Sequence, residues 1–250
     1  MKISVITVCL NCEKTIEDTI NSVINQDYNN IEYIIIDGKS EDNTLNILKK
    51  YEHKIFKVIS EKDHGIYDGI NKGIQLASGE IISLIHGNDV FSDSNVLSRV
   101  ALNFKKNNDI DLLIGDITFK KNLMEKKTLR YYSSKSFKPW MLRIGFSPPH
   151  LSSFFTKKIL SKIGPYDNQY KIAGDFEYFV RCFLKNNISF KLISDCFVTM
   201  STGGLSGKNY KSYLVSSLEI NKALKKNNYY SNILLTFMRF PLKLIQFLVK

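Results

Sequence analysis

The sequence predicts an α/β fold in which helices flank a mostly parallel central sheet, followed by a C-terminal helical tail. Over the first ~90 residues, short apolar runs alternate with segments whose apolar residues recur at helical spacing. A βαβαβαβ order of this kind is typical of parallel strands joined by right-handed crossovers. The chain has 250 residues and 44% hydrophobic content, which is enough for one large α/β core.

Apolar runs in the first part of the chain predict four buried strands. These are residues 3–9, 32–37, 56–60 and 81–85. Helices are predicted after the first two strands, because apolar residues follow them at helical spacing. These residues are Ile16, Ile20, Val23 and Ile24, and then Leu45, Leu48 and Tyr51. A third helix is predicted between the last two strands.

The second part of the chain predicts further elements of both kinds. Residues 111–119 are predicted as a strand, residues 128–132 as a β-hairpin addition and residues 152–155 as another apolar strand. A helix near Asp175 should bury Phe176, Phe179, Val180 and Phe183. Residues 210–226 predict an amphipathic helix with Leu214, Leu218 and Leu224 facing inward. Trp140 is expected to be a packing anchor, with a sugar-stacking role as the alternative.

The net charge of +11 favours an anionic partner, which could be nucleic acid, a membrane surface or a phosphorylated substrate. No recognition helix or RNA-binding aromatic signature is present, so we expect no nucleic acid. The apolar run at the N-terminus is too short for a signal peptide, which favours the cytoplasm. Four cysteines are consistent with reduced thiols there.

Polar residues follow the predicted parallel strands at the edge where such sheets bind ligands. Thr7 and Asn11 follow the first strand, Asp37 the second and Asp89 the fourth. Asp37 could accept hydrogen bonds from a base or a ribose, or could form the turn before Gly38. Asp89 suits a divalent cation that holds phosphate oxygens, with a helix N-cap as the alternative. No G-x-G-x-x-G or Walker sequence is present, which disfavours dehydrogenases and P-loop kinases.

Two longer motifs add a specific resemblance. The first is an Asp-Gly-Ser-x-Asp-x-Thr type turn carried by Asp37, Gly38, Ser40, Asp42 and Thr44, and the second is the segment GIYDGINKG at residues 65–73. Together with ISVITVCLN near the N-terminus, these motifs resemble the family 2 glycosyltransferases of bacterial surface-polysaccharide synthesis. The resemblance implies the Rossmann-like glycosyltransferase A fold and a nucleotide-diphosphate sugar as donor, with UDP as the family's usual nucleotide.

The resemblance also implies roles for individual residues around the donor. Asp89 would be the carboxylate of the family's Asp-x-Asp element and would hold Mn²⁺ or Mg²⁺. The usual acidic partner is missing, with Gly87 and Asn88 in its neighbourhood, so affinity for the metal should be weaker. The residues implied to contact the nucleoside or the rest of the donor are Thr7, Asn11, Asp37, Asp68, Asn71, Lys72, Asn88 and His150.

Asp175 is the predicted catalytic residue. By position alone it would be the N-cap of the helix that follows. The resemblance implies that it is the general base, with Gly174 in place of the first acid of the family's acidic pair. It would deprotonate an acceptor hydroxyl in a single displacement that inverts the anomeric carbon. Glu177 and Arg181, four residues apart on the same helix, predict an ion pair.

The resemblance divides the chain into a catalytic domain at 1–205 and a basic amphipathic tail at 206–250. Within the catalytic domain, residues 1–90 would bind the nucleotide and 91–205 would bind the acceptor. Residues 200–206 resemble the family's glycine-bearing loop, which suits a segment that closes over the diphosphate, with a plain connecting loop as the alternative. The tail suits an interfacial helix on an anionic leaflet, or a helix docked on the protein's own core.

We therefore expect a glycosyltransferase that extends a lipid-linked glycan at the inner face of the cell membrane. A nucleotidyltransferase that makes an activated sugar is one alternative, although the basic glycine-rich loop usual for that chemistry is absent after the first strand. A non-catalytic module that binds a sugar nucleotide or a membrane is the other.

Overall fold

A computed structural model describes residues 1–107, 109–123, 125, 127–202 and 210–241 of the chain. The first half forms a parallel βα unit whose strand order is β3-β2-β1-β4. This arrangement confirms the predicted parallel strands and crossovers. The strands are β1 (Ile3–Cys9), β2 (Ile31–Asp37), β3 (Lys57–Ser60) and β4 (Ile81–His86), and the helices between them are α1 (Ile16–Ile24), α2 (Thr44–Lys50) and α3 (Ile66–Leu76).

The second half extends the same sheet with mixed strand directions. Strand β8 (Ser153–Thr156) pairs antiparallel with β4 and with β6 (Leu112–Lys120), and β6 runs parallel to β9 (Phe190–Ser201). Strand β5 (Asp89–Phe91) pairs antiparallel with β9 at the end of the sheet. The predicted hairpin addition is confirmed, because β7 (Arg130–Tyr132) pairs antiparallel with β6.

The remaining helices pack around this second half. Helix α6 continues into a π-helical turn at Val180–Lys185 and, as predicted, buries Phe176, Phe179, Val180 and Phe183. The helices are α4 (Val96–Lys106), α5 (Lys157–Ile163), α6 (Gly174–Phe179), α7 (Tyr210–Lys226) and α8 (Ile233–Phe237), with 3₁₀ turns at Glu52–Lys54 and Pro139–Ile144.

Two predictions about burial are wrong. Leu214 and Leu218 on α7 are each 51% exposed, and the helix instead buries Ser217, Ile220 and Ala223. The predicted burial of Leu224 is confirmed. Helical periodicity defines a stripe of residues but does not decide which neighbour covers it. Trp140 is 54% exposed, so it is not a packing anchor.

The C-terminal part is described as far as residue 241. No helix in the described ranges is long and apolar enough to cross a bilayer. The predicted diphosphate loop at 200–206 falls mostly within 203–209, and the end of the tail within 242–250, both outside the described residues.

Helix α3 lies unusually close to strand β1, and two glycines make this approach possible. A Cβ on Gly73 would lie 2.3 Å from Cγ2 of Ile6, and a Cβ on Gly69 would lie 2.8 Å from Cγ1 of Val8. Both distances are far below van der Waals contact. Glycine at these two positions of this chain therefore allows the helix to rest directly on the strand.

We expect the substitution Gly73→Ala to lower the free energy of unfolding by about 1–3 kcal/mol, because the added methyl group overpacks the contact with Ile6. Chemical denaturation with urea measures this change. The control Gln75→Ala changes an exposed residue of the same helix and should stay within about 0.5 kcal/mol of the wild type. Equal stability of the Gly73→Ala variant and the wild type would contradict the proposed close packing.

Candidate active site

The carboxyl end of β2 is closed by a network centred on Asp37. Its buried carboxylate accepts hydrogen bonds from the Ser40 hydroxyl, from the Ser40 amide at 3.0 Å and from the Ser60 hydroxyl at 2.6 Å. Asp37 therefore joins the turn after β2 to the end of β3. The turn-forming interpretation of Asp37 accounts for these bonds, and its carboxylate still lies at the predicted ligand edge of the sheet.

Asn11 lies beside this turn in a left-handed conformation with φ of 52°. Its amide donates to the Ser40 hydroxyl at 2.8 Å, and its side-chain oxygen accepts from the Glu41 amide at 2.9 Å. Asparagine tolerates this backbone conformation better than most residues. The exposed Asn11 side chain thus lies at the edge where the nucleoside is expected.

The predicted contact between Thr7 and the nucleoside needs correction. Thr7 is fully buried within β1, and its hydroxyl shares a 3.1 Å hydrogen bond with the Tyr33 hydroxyl of β2. Strand β1 is covered on both faces, so its interior side chains face the core and not the ligand edge.

Lys72 on α3 is surrounded by carboxylates. Its Nζ lies 2.6 Å from Asp63, 2.8 Å from Glu61 and 3.3 Å from Asp68. Partial burial lowers the pKa of Lys72, but the hydrogen bonds that its ammonium group donates to these carboxylates outweigh burial and raise the pKa overall. The ammonium group is therefore already neutralised by protein groups, and it orients Asp63 and Asp68.

Asp68 also connects the two halves of the molecule. Its carboxylate accepts from the His64 amide at 3.1 Å and from the Asn168 side chain at 3.2 Å. Burial raises the pKa of Asp68, whereas the bonds from His64 and Lys72 lower it, and the net shift is downward. Asp68 is thus an ionised carboxylate at the boundary between the halves.

Both the nitrogen and the oxygen of the Asn71 side-chain amide form hydrogen bonds with the loop after α5. Its Nδ2 donates to the Tyr166 carbonyl at 2.8 Å and to Asn168 at 2.9 Å, while its Oδ1 accepts from the Tyr166 amide at 2.8 Å. These bonds hold the loop after α5 against α3. The predicted contact of Asn71 with the donor is replaced, in this geometry, by bonds to protein atoms.

Asp89 has the most unusual environment of the predicted residues. It is 1% exposed, and neither carboxylate oxygen has a hydrogen-bond partner among the described residues. Burial is the main cause that raises the pKa of Asp89 to about 8. Asp89 begins β5 and lies well before the first residue of α4, so it is not the N-cap of that helix.

This environment fits a cation ligand. A buried carboxylate without partners is costly, and an ion or a donor group that reaches it removes that cost. No cluster of three or more His, Cys, Asp or Glu side chains suited to a metal occurs in the described part of the chain. A cation at Asp89 would therefore take most of its ligands from elsewhere, such as phosphate oxygens. Asn88 points its amide toward the Ser201 hydroxyl at 3.5 Å.

His150 lies in the segment just before β8 and is uncharged at neutral pH. Its Nε2 forms a 2.9 Å hydrogen bond with the Tyr166 hydroxyl, and burial lowers its pKa to about 4. Burial, together with repulsion from His150, also lowers the pKa of His86, the last residue of β4, to about 3. His150 therefore offers a neutral hydrogen-bonding group and no positive charge for a diphosphate.

Asp175 occupies the first turn of α6, one position after Gly174. The N-cap of α6 is Ala173, and the Asp175 Oδ1 accepts from the Phe176 amide at 2.8 Å. Tyr67, from the family signature, places its hydroxyl 3.5 Å from the same oxygen. A Cβ on Gly174 would lie 2.7 Å from the Tyr67 ring. The ring therefore fills the space that a side chain would need at Gly174, the position where the resemblance implies an acid.

Three polar residues near the site are absent from the sequence prediction. Asp63 lies two residues before the signature segment, and this proximity is the sequence signal that could have marked it. In the structure, a Cβ on Gly69 would lie 2.9 Å from the Asp63 carboxylate. Glu219 and Arg239 come from the C-terminal helices. No local pattern marks either of them, because their partners are distant in the sequence. The predicted ion pair between Glu177 and Arg181 is confirmed at 3.0 Å.

Comparison with known proteins agrees with this architecture. The model of the Glycosyl transferase family 2 matches residues 4–164, so the chain belongs to this family and is a glycosyltransferase. An uncharacterized glycosyltransferase of Mycobacterium tuberculosis is 32% identical over 184 residues, which are 73% of this chain and 69% of that protein. A PGL/p-HBAD biosynthesis glycosyltransferase of Mycobacterium bovis is 25% identical over 72% of this chain and 69% of its own length.

Solved structures share the fold at lower identity. TarS 1–349 from S. aureus, in complex with UDP-GlcNAc, has a TM-score of 0.69 and 21% identity and matches 90% of this chain and 66% of its own. The mannosyltransferase PcManGT from Pyrobaculum calidifontis, in complex with GDP-Man and Mn²⁺, has a TM-score of 0.66 and 13% identity over 92% and 65%. The glycosyltransferase A fold is thereby confirmed, and the chain spans about two thirds of each of these structures.

The burial of Asp89 predicts an unusual dependence of stability on pH. Its pKa is about 8 in the folded state and about 3.9 in the unfolded state, so between these values only the unfolded state loses the proton. The wild type should therefore lose stability as the pH rises from 4 to 8, relative to the Asp89→Asn variant. The full shift corresponds to at most about 6 kcal/mol, and water entry should reduce the difference to about 1–3 kcal/mol.

Urea denaturation of both proteins in EDTA at pH 5 and at pH 8.5 measures this difference. The matched control is Asp93→Asn, because hydrogen bonds from Arg99 outweigh burial and lower the pKa of Asp93. That control should bring no gain in stability at pH 8.5. If Asp89→Asn and the wild type show the same pH dependence, the carboxylate is not desolvated in solution.

Proposed function

We propose that this glycosyltransferase moves a sugar from a nucleotide-diphosphate sugar, with UDP as the nucleotide, to a hydroxyl of a lipid-linked glycan in surface-polysaccharide synthesis. The observation that carries the proposal is the buried Asp89 carboxylate without a described partner at the ligand edge of the sheet. A divalent cation can take the place of the proton that burial favours on this carboxyl group, and a nucleoside diphosphate is a ligand that brings one.

The residues at this edge would contact different parts of the donor. Asn11 and Asp37 would contact the nucleoside, and Asp68 and Asn88 the sugar and diphosphate. Asn71 and Lys72 would act indirectly, by holding the loop at Tyr166 and the carboxylates Asp63 and Asp68. The fold relatives that were solved with UDP-GlcNAc or with GDP-Man and Mn²⁺ support this class of donor.

The reaction would be a single displacement with inversion. Asp175 would take the proton of the acceptor hydroxyl while its oxygen forms a bond to the anomeric carbon and the bond to the diphosphate oxygen breaks. A divalent cation held by Asp89 would offset the charge that develops on the leaving diphosphate. His150, being uncharged, would contribute a hydrogen bond only.

The membrane association that we propose rests on an exposed apolar face of the C-terminal helices. Leu234 and Phe237 on α8, Met238 directly after α8, and Leu214 and Leu218 on α7 are exposed. The ring of Tyr213 on α7 contacts the ring of Phe240, which lies shortly after the end of α8. The exposed lysines of α7 would face the anionic headgroups that surround such a face. These lysines are Lys211, Lys222, Lys225 and Lys226.

We expect Asp175→Asn to lower the rate of donor turnover by about 10²–10⁴-fold, because the amide cannot accept the proton. Binding of UDP should remain within about twofold. Release of nucleoside diphosphate from UDP-GlcNAc, UDP-glucose, UDP-galactose and GDP-mannose, with Mn²⁺ or Mg²⁺, measures turnover, and thermal shift measures binding of UDP. EDTA should abolish turnover.

Asp18→Asn is the matched control, since Asp18 is an exposed carboxylate in the first turn of α1. It should turn over at the wild-type rate. Wild-type activity of Asp175→Asn would disprove its role as the base. A wild type that turns over none of the four donors with either metal would count against the proposed function.

Substituting Leu234 and Met238 together by glutamine should weaken binding to phosphatidylglycerol vesicles at least tenfold. Each exposed apolar side chain contributes about 1.5–3 kcal/mol when fully buried, and part of this contribution would be lost. Vesicle sedimentation measures the binding. Leu102→Gln, which changes an exposed leucine of α4, should bind like the wild type. Equal binding of all three proteins would exclude α8 as the membrane contact.

A further inference from the structure

We infer that Glu219 on α7 is a positioning residue for the catalytic carboxylate, so that the C-terminal helix pair is a working part of the active site. The inference rests on the proposed function, in which Asp175 is the general base. It concerns residues 171–173, the segment that leads directly into the first turn of α6.

The Glu219 carboxylate accepts three hydrogen bonds from three successive backbone amides. Its Oε1 accepts from Lys171 at 2.8 Å, and its Oε2 accepts from Ile172 at 2.9 Å and from Ala173 at 2.8 Å. Charged acceptors form the stronger class of hydrogen bond. One side chain from α7 therefore fixes the main chain up to the residue that precedes α6.

The same segment is held from the opposite direction by α3. The Tyr67 hydroxyl donates to the Ile172 carbonyl at 2.7 Å and lies 3.5 Å from the Asp175 carboxylate. The amide and the carbonyl of Ile172 are thus both bonded, one to each flanking helix. Asp175 follows three residues later, and its position depends on this doubly held peptide.

Arg239, which follows α8, adds a second link between the tail and this region. Its guanidinium is 2% exposed and donates to the Ser217 hydroxyl at 2.9 Å, two residues before Glu219 on α7. Burial lowers the pKa of Arg239 to about 10, while attraction to Asp175 opposes the decrease. Arg239 therefore remains protonated at neutral pH and fixes α8 to the part of α7 that carries Glu219.

The fixed main chain matters because a general base must lie within hydrogen-bond reach of the proton it removes. A displacement of about 1 Å in the reacting geometry costs about a hundredfold in rate. The proposed donor contacts lie after β1, on β2 and α3, and at the start of β5, and the described hydrogen bonds of Glu219 go to none of them. Loss of Glu219 should therefore affect the chemical step more than donor binding.

The test is Glu219→Gln in the full chain, with the nucleotide sugar and metal that give the highest wild-type turnover in the donor panel. Glutamine has the same shape, but its NH₂ group cannot accept from the backbone amides. We expect kcat to fall about 10–100-fold while KM for the donor changes less than about twofold. Hydrogen exchange at the amides of residues 171–173 should accelerate at least tenfold.

Two further variants separate positioning from general stability. Glu219→Asp keeps the charge and should recover part of kcat. Val215→Ala changes an exposed residue of the same helix and should retain the wild-type kcat. Assays at a temperature well below the thermal midpoint of every variant ensure that each protein is folded.

The outcomes distinguish this inference from the function on which it rests. If the wild type turns over a donor, Asp175→Asn does not, and Glu219→Gln has the wild-type kcat, the positioning role is overturned and the proposed function stands. Unchanged hydrogen exchange at residues 171–173 also overturns it. If Asp175→Asn is fully active, or if the wild type turns over no donor, both proposals are overturned.

Discussion

The close approach of helix α3 to strand β1 is the constraint on which the candidate site depends. With no Cβ on Gly69 and Gly73, the helix rests directly on Val8 and Ile6. From this position Tyr67, Asp68 and Asn71 reach the loops of the second half at 2.7–3.2 Å. Hydrogen bonds weaken steeply beyond this range, so a helix displaced outward by the width of a methyl group would lose them. Packing at two glycines therefore sets the distance between the two halves.

The charge of the protein is distributed differently from what its net value suggests. The excess of +11 favours an anionic partner, but at the described donor edge the three carboxylates of Glu61, Asp63 and Asp68 surround the single ammonium group of Lys72. Lysines are instead frequent on α7, next to exposed apolar side chains. The lysines of the tail are thus consistent with an anionic surface as their partner. The carboxylates of the donor edge are consistent with a donor that brings its own cation.

The features that follow from local pattern were predictable from the sequence. Alternating apolar runs gave the parallel half, and the i,i+4 spacing gave the ion pair of Glu177 with Arg181. Pairings between distant strands were not predictable, because nothing local decides that β8 inserts between β4 and β6 or that β5 pairs with β9. For the same reason, periodicity placed Leu214 and Leu218 on the wrong side of α7.

The same distinction between local pattern and contacts distant in the sequence applies to single residues of the site. Asp89 and Asp175 could be proposed because the resemblance marks their positions, whereas the burial of Asp89 and of Thr7 depends on elements that pack from elsewhere. Glu219 could not be found, since its three partners are backbone amides with no sequence signal. A backbone amide is present at nearly every residue, so only the fold reveals which carboxylate collects three of them.

The two acidic groups of the proposed reaction are prepared in opposite ways. Asp89 is buried with no described hydrogen bond, so a cation and a diphosphate would relieve the cost of its desolvation when the donor binds. Asp175 instead follows a main chain that Glu219 and Tyr67 already hold on both sides. In the proposed reaction, the donor site would therefore be completed by its ligand, while the base would be in place beforehand. This division suits an inverting transfer, because the charge to be stabilised arises on the leaving group and the geometry to be kept is that of the attacking hydroxyl.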